Sequence, residues 1–145
     1  MTIYIAKKSL FDLIRNDDYF FTNHAYLDEQ GYLDDIVRSI SQLLNTRCIL
    51  PTSHQQTFLP LNYGLPYLFG LQETDDMMNP NTHADWQKTL ERTIQHFEPR
   101  LIRPKVKIQK VEIQQQRLHI LISATVNIQT LQKKIAFPIT LHPSY

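Results

Sequence analysis

The sequence predicts an α+β domain: N-terminal helices followed by an antiparallel meander of about three strands. Three observations predict it. Apolar residues recur at helical spacing through Leu33, Ile36, Val37, Ile40, Leu43 and Leu44. From Leu118 to Ile128 they sit at every even position instead, the period of a strand with one buried side. Between the two regimes stand Pro99 and Pro104, which break a helix and delay a ladder.

Taken in order, Ser9 as N-cap and Asp12 at the capping-box position open a short helix over 9–15, with Leu10, Phe11, Leu13 and Ile14 as its apolar face. The stripe from Leu33 to Leu44 is an amphipathic helix ending near Arg47. Residues 48–82 carry Pro51, Pro60, Gly64, Pro66, Gly70 and Pro80. A connection of that length inside a small domain holds short turns or serves a function. A further helix is expected from about Ala84 to Phe97, capped by Thr82 with Asp85 three residues on and striped by Trp86, Leu90, Ile94 and Phe97. Pro99 stops it.

The meander follows. Leu118, Ile120, Ile122, Ala124, Val126 and Ile128 face a core, and only Leu121 interrupts the polar positions between them. Upstream, Val106 and Ile108 are even whereas Val111 and Ile113 are odd, a slip that predicts a bulge near Gln109–Lys110. Downstream, Ile135, Phe137, Ile139 and Leu141 alternate with Pro138 on the other parity, so the last strand belongs at an edge or beside a bulge. The chain divides into an N-terminal extension, 1–32, and a main domain, 33–145.

The 145 residues suffice for one core. A formal net charge of +1 gives no strong electrostatic case for nucleic acid or an anionic membrane. The single cysteine, Cys48, makes neither an internal disulfide nor a zinc site and reads as a small buried hydrophobe. No apolar run resembles a signal peptide or reaches the roughly 20 residues of a bilayer span, so a cytoplasmic protein without direct membrane insertion is expected. Charge is nevertheless segregated. Asp17, Asp18, Asp28, Glu29, Asp34 and Asp35 occupy a stretch without Lys or Arg, while Arg100, Arg103, Lys105, Lys107 and Lys110 follow Glu98. Solvated faces explain this, as does one face that docks an acidic partner.

Residue types for catalysis are present without a catalytic pattern. The six histidines are scattered, none at helical ligand spacing from another, and no Gly-rich phosphate loop occurs. No metal, cofactor or catalytic residue is therefore assigned. Glu98, Asp75 and Asp76 are nominal candidates for a carboxylate pair of the glycosidase type, but the sequence gives little sign of a substrate groove. Arg103, Lys105 and Lys107 share one face of a strand, which suits phosphates, yet lack the interleaved aromatics that stack bases. Glu98-Pro99-Arg100 is more specific. It places a carboxylate, a helix stop and a guanidinium at a helix-to-strand junction. It is either a local ion pair or a corner that presents charge to a partner.

Phe97-Glu98-Pro99-Arg100-Leu101 resembles the Glu-Pro-Arg signature of the contractile-tail baseplate wedge family, which includes TssE of type VI secretion and the phage subunit called acidic lysozyme. Ser39-Ile40 with Leu43-Leu44-Asn45-Thr46-Arg47 is similar to the end of that family's second helix, and Leu61-Asn62-Tyr63-Gly64-Leu65-Pro66 with Gly70 to its loop. Tyr67 departs from the acidic residue usual after Gly-Leu-Pro. The resemblance spans about 33–141 and implies a structural baseplate subunit rather than an enzyme. It would link the TssF and TssG wedge proteins to the first sheath ring of TssB and TssC, near TssK, at the cytoplasmic face of the inner membrane. It implies partner contacts at Glu98, Pro99 and Arg100, and strand addition along the edge that holds Val106 and Ile108. The alternative is a lysozyme-like peptidoglycan hydrolase.

Overall fold

A computed structural model describes residues 6–7, 26–48, 63–65 and 80–142. The helix expected over 9–15 and most of the 48–82 connection lie outside them. Two short strands, β1 (Ala6–Lys7) and β2 (Tyr26–Leu27), pair antiparallel ahead of the first described helix. That helix, α1 (Glu29–Leu44), begins four residues before Leu33. Its cap is Asp28, whose carboxylate accepts the Gly31 N–H at 2.8 Å, and Glu29 adds negative charge beside the unpaired first-turn N–H groups. The capping chemistry thus lies in the acidic run, upstream of the apolar stripe.

The second helix, α2 (Pro80–Phe97), also starts earlier than its stripe implies. Proline is well suited to the first helical position, where no intrahelical N–H bond is lost, and Thr82 lies inside the helix rather than capping it. Trp86, Leu90 and Ile94 are buried, with Phe97 partly so. The helix stops before Pro99, and a tight turn closes as Leu101 N–H donates to Glu98 O at 3.1 Å.

Three long strands follow in the order β3 (Leu101–Glu112), β4 (Arg117–Ile128) and β5 (Leu131–Leu141), all antiparallel. Every even position of β4 from Leu118 to Ile128 is buried. Helices α1 and α2 cover that face, and Ile36, Ile40, Leu44, Leu90, Ile94, Ile120, Ile122 and Val126 have no exposed surface. The result is two layers around one core. Register shifts at the expected bulge, between Ile108 and Lys110. It also shifts between Ile102 and Lys105, where Arg103 adopts φ 51°, a left-handed conformation costly for a residue with a Cβ. The second irregularity was not expected. Among the described residues no helix is long and apolar enough to cross a membrane.

Candidate functional site

The junction between α2 and β3 sets the Glu-Pro-Arg segment. The turn at Pro99 folds Glu98 back beneath α2, where it is 3% exposed, and brings Arg100 alongside it. Arg100 Nε and Nη2 donate to the two Glu98 carboxylate oxygens at 2.6 and 2.7 Å, a bidentate pair. Nη1 donates to Asp35 Oδ2 at 2.6 Å, and Arg38 Nη2 to Asp35 Oδ1 at 2.9 Å. The Tyr32 ring lies 5.7 Å from the Arg100 guanidinium carbon. One cluster therefore clamps α1 to the α2–β3 turn, across 65 residues of sequence.

Electrostatics in the cluster follow from burial and pairing. Burial pushes the Asp35 carboxyl up, but hydrogen bonds from Arg100 and Arg38 outweigh it and hold the group below its usual range. The bond to Glu98 raises Arg100 against the opposing effect of burial. Burial, with the Glu98 charge next, raises the Tyr63 hydroxyl. The expectation of a corner presenting both charges outward is corrected in this respect: the charges face inward and satisfy each other. The corner turns exposed Pro99 and the roughly one-third exposed side chain of Arg100 to solvent.

Val106 and Ile108 occupy the edge strand expected for partner binding, but Val106 is buried and Ile108 partly so, packed on the core. Only their backbone faces outward. Val106 N–H donates to Glu91 Oε1 of α2 at 3.0 Å, so it points away from β4. Val106 and Ile108 pair with Ile122 and Ile120 in one unbroken register, and antiparallel alternation therefore turns the Ile108 N–H outward as well. The opposite edge is closed at one end. Asn45, the C-cap of α1, donates to Thr140 O at 3.3 Å and accepts the His142 N–H at 2.8 Å. By the same alternation Pro138 faces out of β5, with no N–H to offer.

Two further features were not legible in the sequence pattern. Thr140 Oγ1 lies 3.0 Å from His119 Nδ1, and Glu112 Oε2 lies 3.4 Å from His119 Nε2, a polar ladder across all three strands. Hydrogen bonds from Lys110 and then His119 hold the Glu112 carboxyl below its usual range. The second feature explains the Gly64-Leu65 motif. Leu65 N–H donates to Thr46 O at 2.9 Å and Cys48 N–H to Leu65 O at 2.7 Å, stitching the loop to the end of α1. Gly64 has φ 109°, and a Cβ there would lie 2.6 Å from Thr46 O. Among the described residues, no three His, Cys, Asp or Glu side chains converge as a metal site.

The family model of baseplate wedge protein gp25 matches residues 30–130. The structure is similar to a chain of the baseplate complex from the type VI secretion system, with a TM-score of 0.51 and 17% identity, covering 79% of this chain and 98% of that one. A second similar structure is described as a tail lysozyme from Geobacter sulfurreducens, with a TM-score of 0.45 and 18% identity over 79% of this chain and 95% of the other. No curated protein sequence matches.

Proposed function

This chain belongs to the baseplate wedge protein gp25 family, and we propose that it joins the TssF and TssG wedge of a type VI secretion baseplate to the first sheath ring and templates that ring. Family membership supports a structural role in a baseplate, and the linkage to the sheath with its templating is the finer reading. The observation that carries the finer reading is the β3 edge, whose outward backbone becomes available at Ile108. An edge of this kind accepts an added strand, with backbone bonds for affinity and alternating side chains for register. TssB and TssC arms are the strands in this proposal, and TssK is a neighbour in the same assembly. The exposed Pro99 corner and the outer part of Arg100 form the wedge-facing surface. Glu98 and Asp35 act there as positioning residues, holding the guanidinium in place.

Peptidoglycan hydrolysis fits the geometry less well. Both Glu98 oxygens are taken by Arg100, and the side chain is withdrawn from any substrate. A glycosidase needs one carboxyl free to give a proton and a second one across the scissile bond.

Mixing the purified chain with TssF and TssG tests the wedge contact. We expect a stable complex that Pro99→Asp weakens without changing the melting curve, because Pro99 is exposed. Absence of a complex with the intact chain would contradict the reading, as would turnover of peptidoglycan that is lost in Glu98→Gln.

A further inference from the structure

Beside the β3 edge lies a groove of about 600 Å³ between α2 and β3, lined by Glu91, Arg92, Gln95 and His96 of the helix and Arg103, Pro104 and Lys105 of the strand. Two features close the edge of β3 at this end. Pro104 has no N–H. Glu91 occupies the Val106 N–H, and its other oxygen meets Lys105 Nζ at 3.3 Å. A strand added along β3 from the Ile108 side therefore finds no free N–H at Val106 and none at Pro104. Without those donors the pairing is weakened there, and the space beside that end of the edge is this groove.

The charges of the groove are uneven in how they are used. Among the described residues, Arg38, Lys88, Arg100, Lys105, Lys110 and Lys133 each have a carboxylate partner. Arg92 and Arg103 have none, as is also true of Lys107, Arg117 and Lys134, but these two stand together, exposed, at the groove. Arg103 is also the residue held at φ 51°, where the bulge keeps its side chain among the exposed positions of β3. The one carboxylate of the groove, Glu91, is already bound on both oxygens.

We infer that the groove between α2 and β3 docks an acidic extended segment of a partner protein, continuous with the strand added at Ile108, with carboxylates on Arg92 and Arg103 and with Glu91 as the stop that fixes where pairing ends. This rests on the strand-addition reading of the β3 edge. The segment it selects has a short alternating stretch for the edge and carboxylates immediately beyond it. A bare oligonucleotide is disfavoured, because among the described residues no Phe, Tyr or Trp lines the groove to stack bases.

The test is a titration of the isotope-labelled full-length chain with two synthetic alternating valine–threonine peptides, one bearing glutamates at both ends and the other lysines. Amide resonances report the site. The glutamate peptide is expected to shift Ile108 and its neighbours together with Arg103. It should bind about fivefold tighter than the lysine peptide, the scale of two solvent-screened ion pairs. Arg92→Glu with Arg103→Glu should reverse that order. Glu91→Ala should extend the shifts to the Val106 amide, and Glu91→Gln, which retains an acceptor, should not. Equal binding of both peptides at Ile108 would overturn the acidic-partner inference and leave the edge reading standing. No shift at Ile108 with either peptide would overturn both. Tighter binding of a single-stranded oligonucleotide to the same arginines would also overturn it, assigning the groove to phosphates.

Discussion

Replacing Arg100 by alanine removes the one cation shared by Glu98 and Asp35. Glu98 is 3% exposed and Asp35 8%, so both carboxylates would remain buried with only Arg38 nearby, on Asp35. Breaking a buried ion pair by deleting one partner costs about 3–5 kcal/mol. Arg100 is 30% exposed, so solvent screens part of this and a loss of about 2–4 kcal/mol is expected. For a domain of this size a loss of about 3 kcal/mol lowers the melting temperature by roughly 6–12 °C. Urea unfolding reports it through the single tryptophan, Trp86, which is 5% exposed on α2. The pH dependence has a definite sign. Asp35 is depressed below its ordinary value of 3.8, so its stabilisation is present above that value and is lost as pH falls through the lower folded one. In the Arg100→Ala protein burial acts on the Asp35 carboxyl with only Arg38 opposing it, so protonation relieves it. The gap between the two proteins should be widest near neutrality and close below about pH 4. An unchanged urea midpoint, or a gap of constant size from pH 7 to pH 3, would refute the reasoning.

Other elements give sharper contrasts. Ile122→Asp should unfold the domain by placing a charge at a fully buried position, while Thr125→Asp on the opposite face of β4 should keep native circular dichroism. Gly64→Ala should cost about 1–3 kcal/mol in urea unfolding, because the new Cβ would meet the Thr46 carbonyl at a φ of 109°. Gln129→Gly should raise the melting temperature slightly, since Gln129 holds φ 55° as the first residue of the two-residue loop between Ile128 and Leu131.

Much of the meander was legible because a strand buried on one side writes its register into parity. The even run from Leu118 to Ile128 and the slip at Gln109 both appear as expected. The bulge at Arg103 was hidden because Leu101 and Ile102 are both apolar, so the slip from odd burial at Leu101 to even burial at Pro104 and Val106 does not show in the sequence pattern. Its one available signal was Pro104 itself, a proline inside a strand. Helix starts were misplaced for a related reason. The apolar stripe of α1 begins at Leu33 while its cap is Asp28, and α2 opens on Pro80 ahead of any stripe. Pro99 announced a stop, but the direction of the turn depends on Asp35, which a reading of local sequence does not connect to Arg100. For the same reason, Glu91 closing the β3 edge at Val106 was invisible, since that bond exists only once α2 lies along the strand.

The central claim, that the β3 edge of this baseplate subunit starts the sheath, meets its most direct test in Ile108→Pro. That N–H faces outward, so its removal leaves the pairing with β4 in place, with limited loss of packing on the core from the partly buried side chain. Cells carrying a folded Ile108→Pro chain and a fluorescent sheath protein should assemble the TssF and TssG wedge yet form no sheath foci. Foci of normal number with that folded variant would contradict the claim.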